Sequence, residues 1–203
     1  MNNSKSFEEK YNDYFSRVSK PGFFEKAQIP GVRRNNDTLI LDFFDRKVTC
    51  SSDGIRDNEG RSLTDAVKAV LCQYLLMFPD PLCESSSRLV TLREFSNSGP
   101  LFSSFTANTG KIIEATFSGS LEKLNNRCLA LDGTIMENAS YDLSVRFRAL
   151  SRIPVILNFN NKDGMMPASA VYLFHDNADK YLDIKSLAVL CTYLTGQLIR
   201  QDL

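Results

Sequence analysis

The chain carries one histidine, His175, and Asp176 follows it. A carboxylate beside an imidazole can set its tautomer and orient it as a base. Base chemistry also needs a reacting partner within hydrogen-bond reach. The sequence offers no serine nucleophile motif and no second histidine, so a polar turn closing a strand is the simpler reading. Arg93-Glu94 is the second candidate. Read as the end of a strand over residues 89–95, the two side chains point to opposite faces, and the one facing inward needs a partner. A structural salt bridge meets that need. The sharper alternative is an arginine clamp on a ligand carboxylate or phosphate.

Other chemistry-bearing residues are thinly spread. Asn160-Asn161 and Asp163-Gly164 make a polar turn, but the calcium-loop pattern D-x-[DN]-x-[DN]-G is absent, so turn formation accounts for them. Neither glycine-rich phosphate cradle occurs. Cys50, Cys72, Cys83, Cys128 and Cys191 are scattered, odd in number and never spaced C-x-x-C. Cys72 and Cys191 fall inside apolar helical patterns. They are expected to act as small buried hydrophobes in a reducing compartment, not as disulfides, zinc ligands or nucleophiles.

The 203 residues include 43% hydrophobic and 24% charged side chains, which fits one globular domain over 1–203 with an N-terminal helical segment at 1–31. The 24 basic residues balance 24 acidic ones, so the basic excess typical of nucleic-acid binders is missing. No apolar run follows Met1-Asn2-Asn3-Ser4-Lys5, and the longest apolar stretch, residues 69–78, is short of the ~20 residues of a membrane span. A cytoplasmic protein with neither nucleic-acid nor membrane partner is expected. With 14 Phe, 7 Tyr and no Trp, the core should be aromatic. Phe23-Phe24 and Met165-Met166 are assigned to it; exposed, they would mark a homodimer interface.

These residues must be positioned by an alternation of helices and strands. Ser6-x-x-Glu9 is a capping box ahead of an amphipathic helix that ends before Pro21-Gly22. A short helical turn over 23–27 follows. Residues 38–44 and 47–51 read as a hairpin around Asp45-Arg46, with a turn at Ser52-Asp53-Gly54. Ser62-x-x-Asp65 is expected to open a core helix over 63–77, stopped by Pro79-Asp80-Pro81. After the 89–95 strand, Phe102 and Phe105 fall in an irregular stretch, and two short helices cover 111–117 and 121–129. Strands are expected at 142–149, 155–160 and 168–174, with Arg152-Ile153-Pro154 as a turn. Asp183 caps a final helix with one apolar stripe through Leu198. The fold class is α+β: a mixed, mainly antiparallel sheet with helices packed at both termini.

The C-terminal half carries a family resemblance. Arg152-Ile153-Pro154-Val155-Ile156-Leu157, Asp163, Pro167-Ala168-Ser169, Leu173-Phe174-His175-Asp176 and Tyr181-Leu182 occur in that order, followed by the last helix near Leu187. Upstream, Val90-Thr91-Leu92-Arg93-Glu94-Phe95, Gly99, Phe105 and Gly60 fit the same series. The order resembles an uncharacterised family, the domain of unknown function numbered 3786, over roughly residues 39–198. That resemblance implies relatives in anaerobic bacteria and archaea, some with an added iron–sulfur domain. This chain has no clustered cysteines to carry that cofactor, and no cofactor is assigned. Only Asp163 stands where relatives have consecutive acids, and Leu-Phe-Asp has become Leu173-Phe174-His175-Asp176. The leading expectation is therefore a non-catalytic accessory or binding module in anaerobic metabolism. The alternatives are a small-molecule or cofactor-binding enzyme and a structural homo-oligomer. The enzyme would draw its ligand-binding site from Arg93, Glu94, Asp163, His175, Asp176 and Tyr181, and convergence of Arg93 or Glu94 with Asp163 and Asp176 on one apolar pocket would favour it.

Overall fold

The computed structural model describes residues 6–26, 28–79, 81–83 and 86–200, with side chains at all of these except 25 and 26. The Met1-Lys5 start, Ala27 of the expected helical turn and Asp80 of the expected helix stop lie outside the described residues. Ser6 opens α1 (Phe7–Val18) as the capping box requires: its hydroxyl accepts from the Glu9 N–H at 3.2 Å, and Glu9 accepts from the Ser6 N–H at 2.7 Å. A single turn, α2 (Phe23–Lys26), follows.

The first sheet is an antiparallel meander of β1 (Val32–Asn35), β2 (Thr38–Phe43), β3 (Arg46–Ser51) and β4 (Gly54–Asp57), in that order. The anticipated hairpin is its centre. The flanking strands escape sequence reading because each has only four residues, and Val32-Arg33-Arg34-Asn35 lacks apolar alternation. α3 (Asp65–Met77) begins two residues later than Ser62 suggests, because Thr64 is the cap, its hydroxyl accepting from Val67 N–H at 3.3 Å. It is buried on nearly every side and ends at Phe78, whose extended backbone precedes Pro79.

The second sheet has the order β5-β9-β8-β7-β6, all antiparallel: β5 (Leu89–Thr91), β6 (Thr134–Ile135), β7 (Leu143–Leu150), β8 (Ile153–Asn160) and β9 (Ser169–His175). Three helices, α4 (Gly99–Asn108), α5 (Gly110–Phe117) and α6 (Leu121–Ala130), separate β5 from β6, and α7 (Ile184–Ile199) closes the chain. The stretch around Phe102 and Phe105 is thus helical, not irregular; Pro100 suits its first turn, and Phe105 is buried. Ile153 and Pro154 belong to β8, and the turn is Ser151-Arg152. Pro154 is tolerated beside the register shift between Arg148 and Leu150.

Strand parity divides the second sheet cleanly. Leu143, Val145, Phe147, Val155, Leu157, Phe159, Tyr172 and Phe174 share one buried face against the helices. Tyr172 ties that face to α7 through a 2.9 Å hydrogen bond with Thr195. The sheets meet where the Phe44 N–H donates to the Ala149 carbonyl at 3.2 Å, bringing β2 alongside β7. No described helix is long and apolar enough to cross a membrane. Phe24 is buried as expected. Met165 and Met166 are not in the core; they stand 87% and 66% exposed at the β8–β9 loop.

Two stability predictions follow from these contacts. A methyl group added at Gly110 would lie 2.7 Å from the Ala170 carbonyl oxygen. Gly110→Ala should therefore cost about 1–3 kcal/mol in urea denaturation, while Gly164→Ala, which meets nothing within 4 Å, should cost far less. The Asp183 cap accepts from Ser186 N–H at 2.7 Å and pairs with Lys10 at 3.5 Å. Burial opposes its charge, but these partners together with Gln73 hold its carboxyl below the usual range. A lowered folded value means a stabilising contribution present above the unfolded pKa of ~3.9 and lost as pH falls through the folded one. Asp183→Ala should lower stability by about 1 kcal/mol at neutral pH and flatten that acid limb in denaturation curves run against pH.

Candidate anion-binding site

The sequence-selected residues do not converge. Asp163 lies beyond the Ser169 end of β9 and Asp176 beyond its His175 end, a separation of roughly 20 Å at ~3.3 Å per residue. Arg93 and Glu94 are not on a strand, because β5 stops at Thr91. There the Glu94 carboxylate accepts from the Thr91 N–H at 2.8 Å and starts a 3₁₀ turn, Leu92–Glu94. Neither side chain faces inward; both are exposed. Arg93 lies over the Phe102 ring at 5.5 Å, and Glu94 pairs with Arg88 at 3.6 Å. His175 pairs with Leu89 across the sheet, and its Nδ1 contacts the Ser86 carbonyl. A carbonyl only accepts, so that contact keeps the proton on Nδ1. Asp176 is engaged through its backbone, donating to the Arg88 carbonyl at 3.0 Å. Tyr181 is a core residue, packed edge-on against Phe78 with ring centroids 5.4 Å apart. Asp163 shapes its own loop: its carboxylate accepts from Met165 N–H at 2.8 Å and Met166 N–H at 2.7 Å, which holds it below the usual carboxylate range.

The cysteines are similarly occupied by structure. Cys50, Cys72, Cys128 and Cys191 are buried, and burial pushes the Cys50 and Cys128 thiols up to about 12 and those of Cys72 and Cys191 up as well. A thiol so raised is a poor nucleophile.

A different set of residues comes together at the junction of the sheets. On β7, Ser144, Arg146 and Arg148 occupy the face opposite the core, by the same parity that buries Val145 and Phe147. Their neighbours across the ladders are Thr134 on β6 and Ile156 and Pro154 on β8. The β2–β3 hairpin comes up beside them through the Phe44–Ala149 hydrogen bond. The result is a groove of about 460 Å³ lined by charged residues of both signs, among them Arg46, Lys47, Asp132, Arg146 and Arg148. Lys47 is paired with Asp42, and Asp45 with Arg61 at 3.0 Å. Arg146 and Arg148 are exposed, and their guanidinium groups have no hydrogen bond or ion pair to any described residue. Two free guanidinium groups two residues apart on one strand face lie about 7 Å apart at their Cα atoms. That spacing and donor set suit a carboxylate or a phosphate, which guanidinium binds in a fork.

One wall of the groove is a buried charge network. Arg46 is only 4% exposed, although the sequence placed it in a hairpin turn. It sits 3.5 Å from Asp57, hydrogen-bonds Gln197 of α7 at 3.4 Å, and lies over the Tyr193 ring at 5.4 Å. Asp57 also stands 3.3 Å from Arg61. Arg46 Nε, Arg61 Nε and Nη2, Asp57 Oδ2 and the Tyr193 hydroxyl lack an aligned hydrogen-bond partner among the described residues. The ion pairs are close but not well aligned, so the attraction is mainly Coulombic. Burial raises the Tyr193 phenol to about 12 against the opposing pull of Arg46, so it stays neutral. Sequence reasoning passed over both features. The alternation Val145-Arg146-Phe147-Arg148 was the available signal for the first; nothing local signalled the second. Asp57→Asn strands the Arg46 guanidinium in the interior without a counterion. It should cost about 3–5 kcal/mol in chemical denaturation, far more than Glu59→Gln, whose exposed carboxylate is one of several partners of Arg61.

With this geometry in view, comparison with known proteins adds one match. Residues 23–197 match the family model described as a domain of unknown function, DUF3786. No curated protein and no solved structure matches the chain.

Proposed function

The chain belongs to the DUF3786 family, and we propose that it is a binding module without catalysis of its own, holding a small carboxylate or phosphate ligand in the groove between its sheets. The single observation that carries this reading is the pair Arg146 and Arg148, exposed on one strand face and unpaired among the described residues. Arg88 and Arg93 are drawn into contacts with Glu94 and Phe102. Arg33 and Arg56 are exposed without a side-chain partner among the described residues, but neither lines this groove, so what sets Arg146 and Arg148 apart is their shared place in it. The Asp132 carboxylate also lines the groove without a hydrogen bond or ion pair to a described residue, so a ligand bearing a cationic group beside its anion is accommodated. The non-catalytic half of the reading is supported by the raised buried thiols and the wide separation of Asp163 from Asp176. An accessory role in the cytoplasm of an anaerobe completes the proposal; the family resemblance motivates it.

A second reading, a homo-oligomer, draws support from Met165 and Met166, which Asp163 holds outward in a defined loop. Isothermal titration with inorganic phosphate and with succinate tests the first reading, and native mass spectrometry tests the second. Saturable binding is expected for at least one anion. The Arg146→Ala/Arg148→Ala double variant should weaken it by roughly 10–100-fold, the equivalent of about one or two charge-assisted hydrogen bonds. The double lysine variant should fall between, since it keeps charge but loses the fork. Binding unchanged in the double alanine variant overturns the proposal. A doubled mass that returns to the monomer in Met165→Ser/Met166→Ser would move the weight to the oligomer.

A further inference from the structure

α7 carries two stripes. Leu187, Leu190, Cys191, Leu194 and Leu198 face the core. The second stripe, Lys185, Ala188, Val189, Thr192, Tyr193 and Gly196, recurs at helical spacing and forms the floor of a cavity of about 510 Å³. Its walls are α4, through Leu101 and Phe105, the first turn of α3, through Ala66 and Val67, and the Phe7 ring of α1.

The lining is more apolar than its composition implies. The Thr192 hydroxyl donates to the Ala188 carbonyl at 3.0 Å and the Ser104 hydroxyl to the Leu101 carbonyl at 2.9 Å, so neither proton is offered to the cavity. Space over Gly196 is open: a Cβ there would meet nothing within 4 Å. Charge enters the lining at one place. Lys185 is exposed in the first turn of α7, and its ammonium has no hydrogen bond, ion pair or ring contact to a described residue. From Lys185 to Gly196 the floor runs about 16 Å at 1.5 Å per residue.

We infer that this cavity is a second ligand site, for an amphiphilic carboxylate with a single unbranched apolar chain, its head at Lys185 and its tail along Ala188, Thr192 and Gly196. The volume lies within the roughly 300–1,000 Å³ ordinary for small-ligand sites. The lone cation at one end selects an anionic head, and the internally bonded hydroxyls leave an aliphatic tail as the fitting remainder. This site is separate from the basic groove: Phe44 and Arg46 line the groove, Tyr193 and Gln197 line the cavity, and the contacts among these four form the partition.

The test is isothermal titration of the delipidated full chain with dodecanoate and with dodecanol, both below micellar concentration. Dodecanoate is expected to bind saturably at one site. Gly196→Leu, which fills the open space while raising helix propensity, should weaken it by about tenfold, the loss of roughly two buried methylene contacts, without lowering the melting temperature. Lys185→Gln should weaken dodecanoate by about 2–5-fold, as for an exposed ion pair, and leave dodecanol unchanged. The Arg146→Ala/Arg148→Ala variant should bind dodecanoate like the parent, which separates this site from the anion groove. No saturable binding, binding indifferent to Gly196→Leu, or binding lost with the two arginines overturns the inference. So does a dimer that Gly196→Leu converts to monomer, because the cavity would then be covered by a second copy.

Discussion

The arrangement of the first sheet against the rest of the molecule depends on one buried cation. Arg46 begins β3, yet its guanidinium reaches Asp57 on β4 and Gln197 and Tyr193 on α7. A charge at 4% exposure is costly in a protein interior unless an opposite charge accompanies it. Asp57 supplies that charge, and Arg61 and Asp45 extend the network to the surface. Such a network adds little net stability compared with an apolar replacement. Its effect here is geometric: it ties β3 and β4 of the meander to α7 in this placement.

That placement has consequences for both binding sites. It sets the β2–β3 hairpin beside β7, where the Phe44–Ala149 hydrogen bond fixes the distance and the groove opens over Arg146 and Arg148. On the far side, Tyr193 is held by Phe43, Phe44 and Arg46. The second stripe of α7 is thereby left facing α4 instead of the first sheet. Phe44, Arg46, Tyr193 and Gln197 thus divide a polar groove from an apolar cavity.

The residues that looked most chemical in the sequence turn out to be structural. Glu94 starts a 3₁₀ turn, Asp163 holds a loop, His175 bonds a backbone carbonyl and Tyr181 fills the core. Polar residues concentrate where the chain turns, because turns and helix starts leave backbone groups that side chains must satisfy. A reading guided by unusual polar residues is drawn to those places. The arginines of the groove look ordinary by comparison, as polar positions of an alternating strand.

The sequence by itself determined the α+β class, the capped first and last helices, the all-round burial of α3 and the central strands, since these follow from periodicity and capping within about a dozen residues. It also carried the family membership through the order of motifs. It missed the short strands β1, β4 and β6, whose two to four residues hold too little pattern, and it overran β5, where a side-chain cap ended the strand. Tertiary structure alone decided that the strands divide into two sheets, that Asp163 and Asp176 lie at opposite ends of one strand, and that Arg46 is buried. Those outcomes join residues far apart in the chain, such as Arg46 with Gln197, and no local pattern records which distant charge will neutralise which.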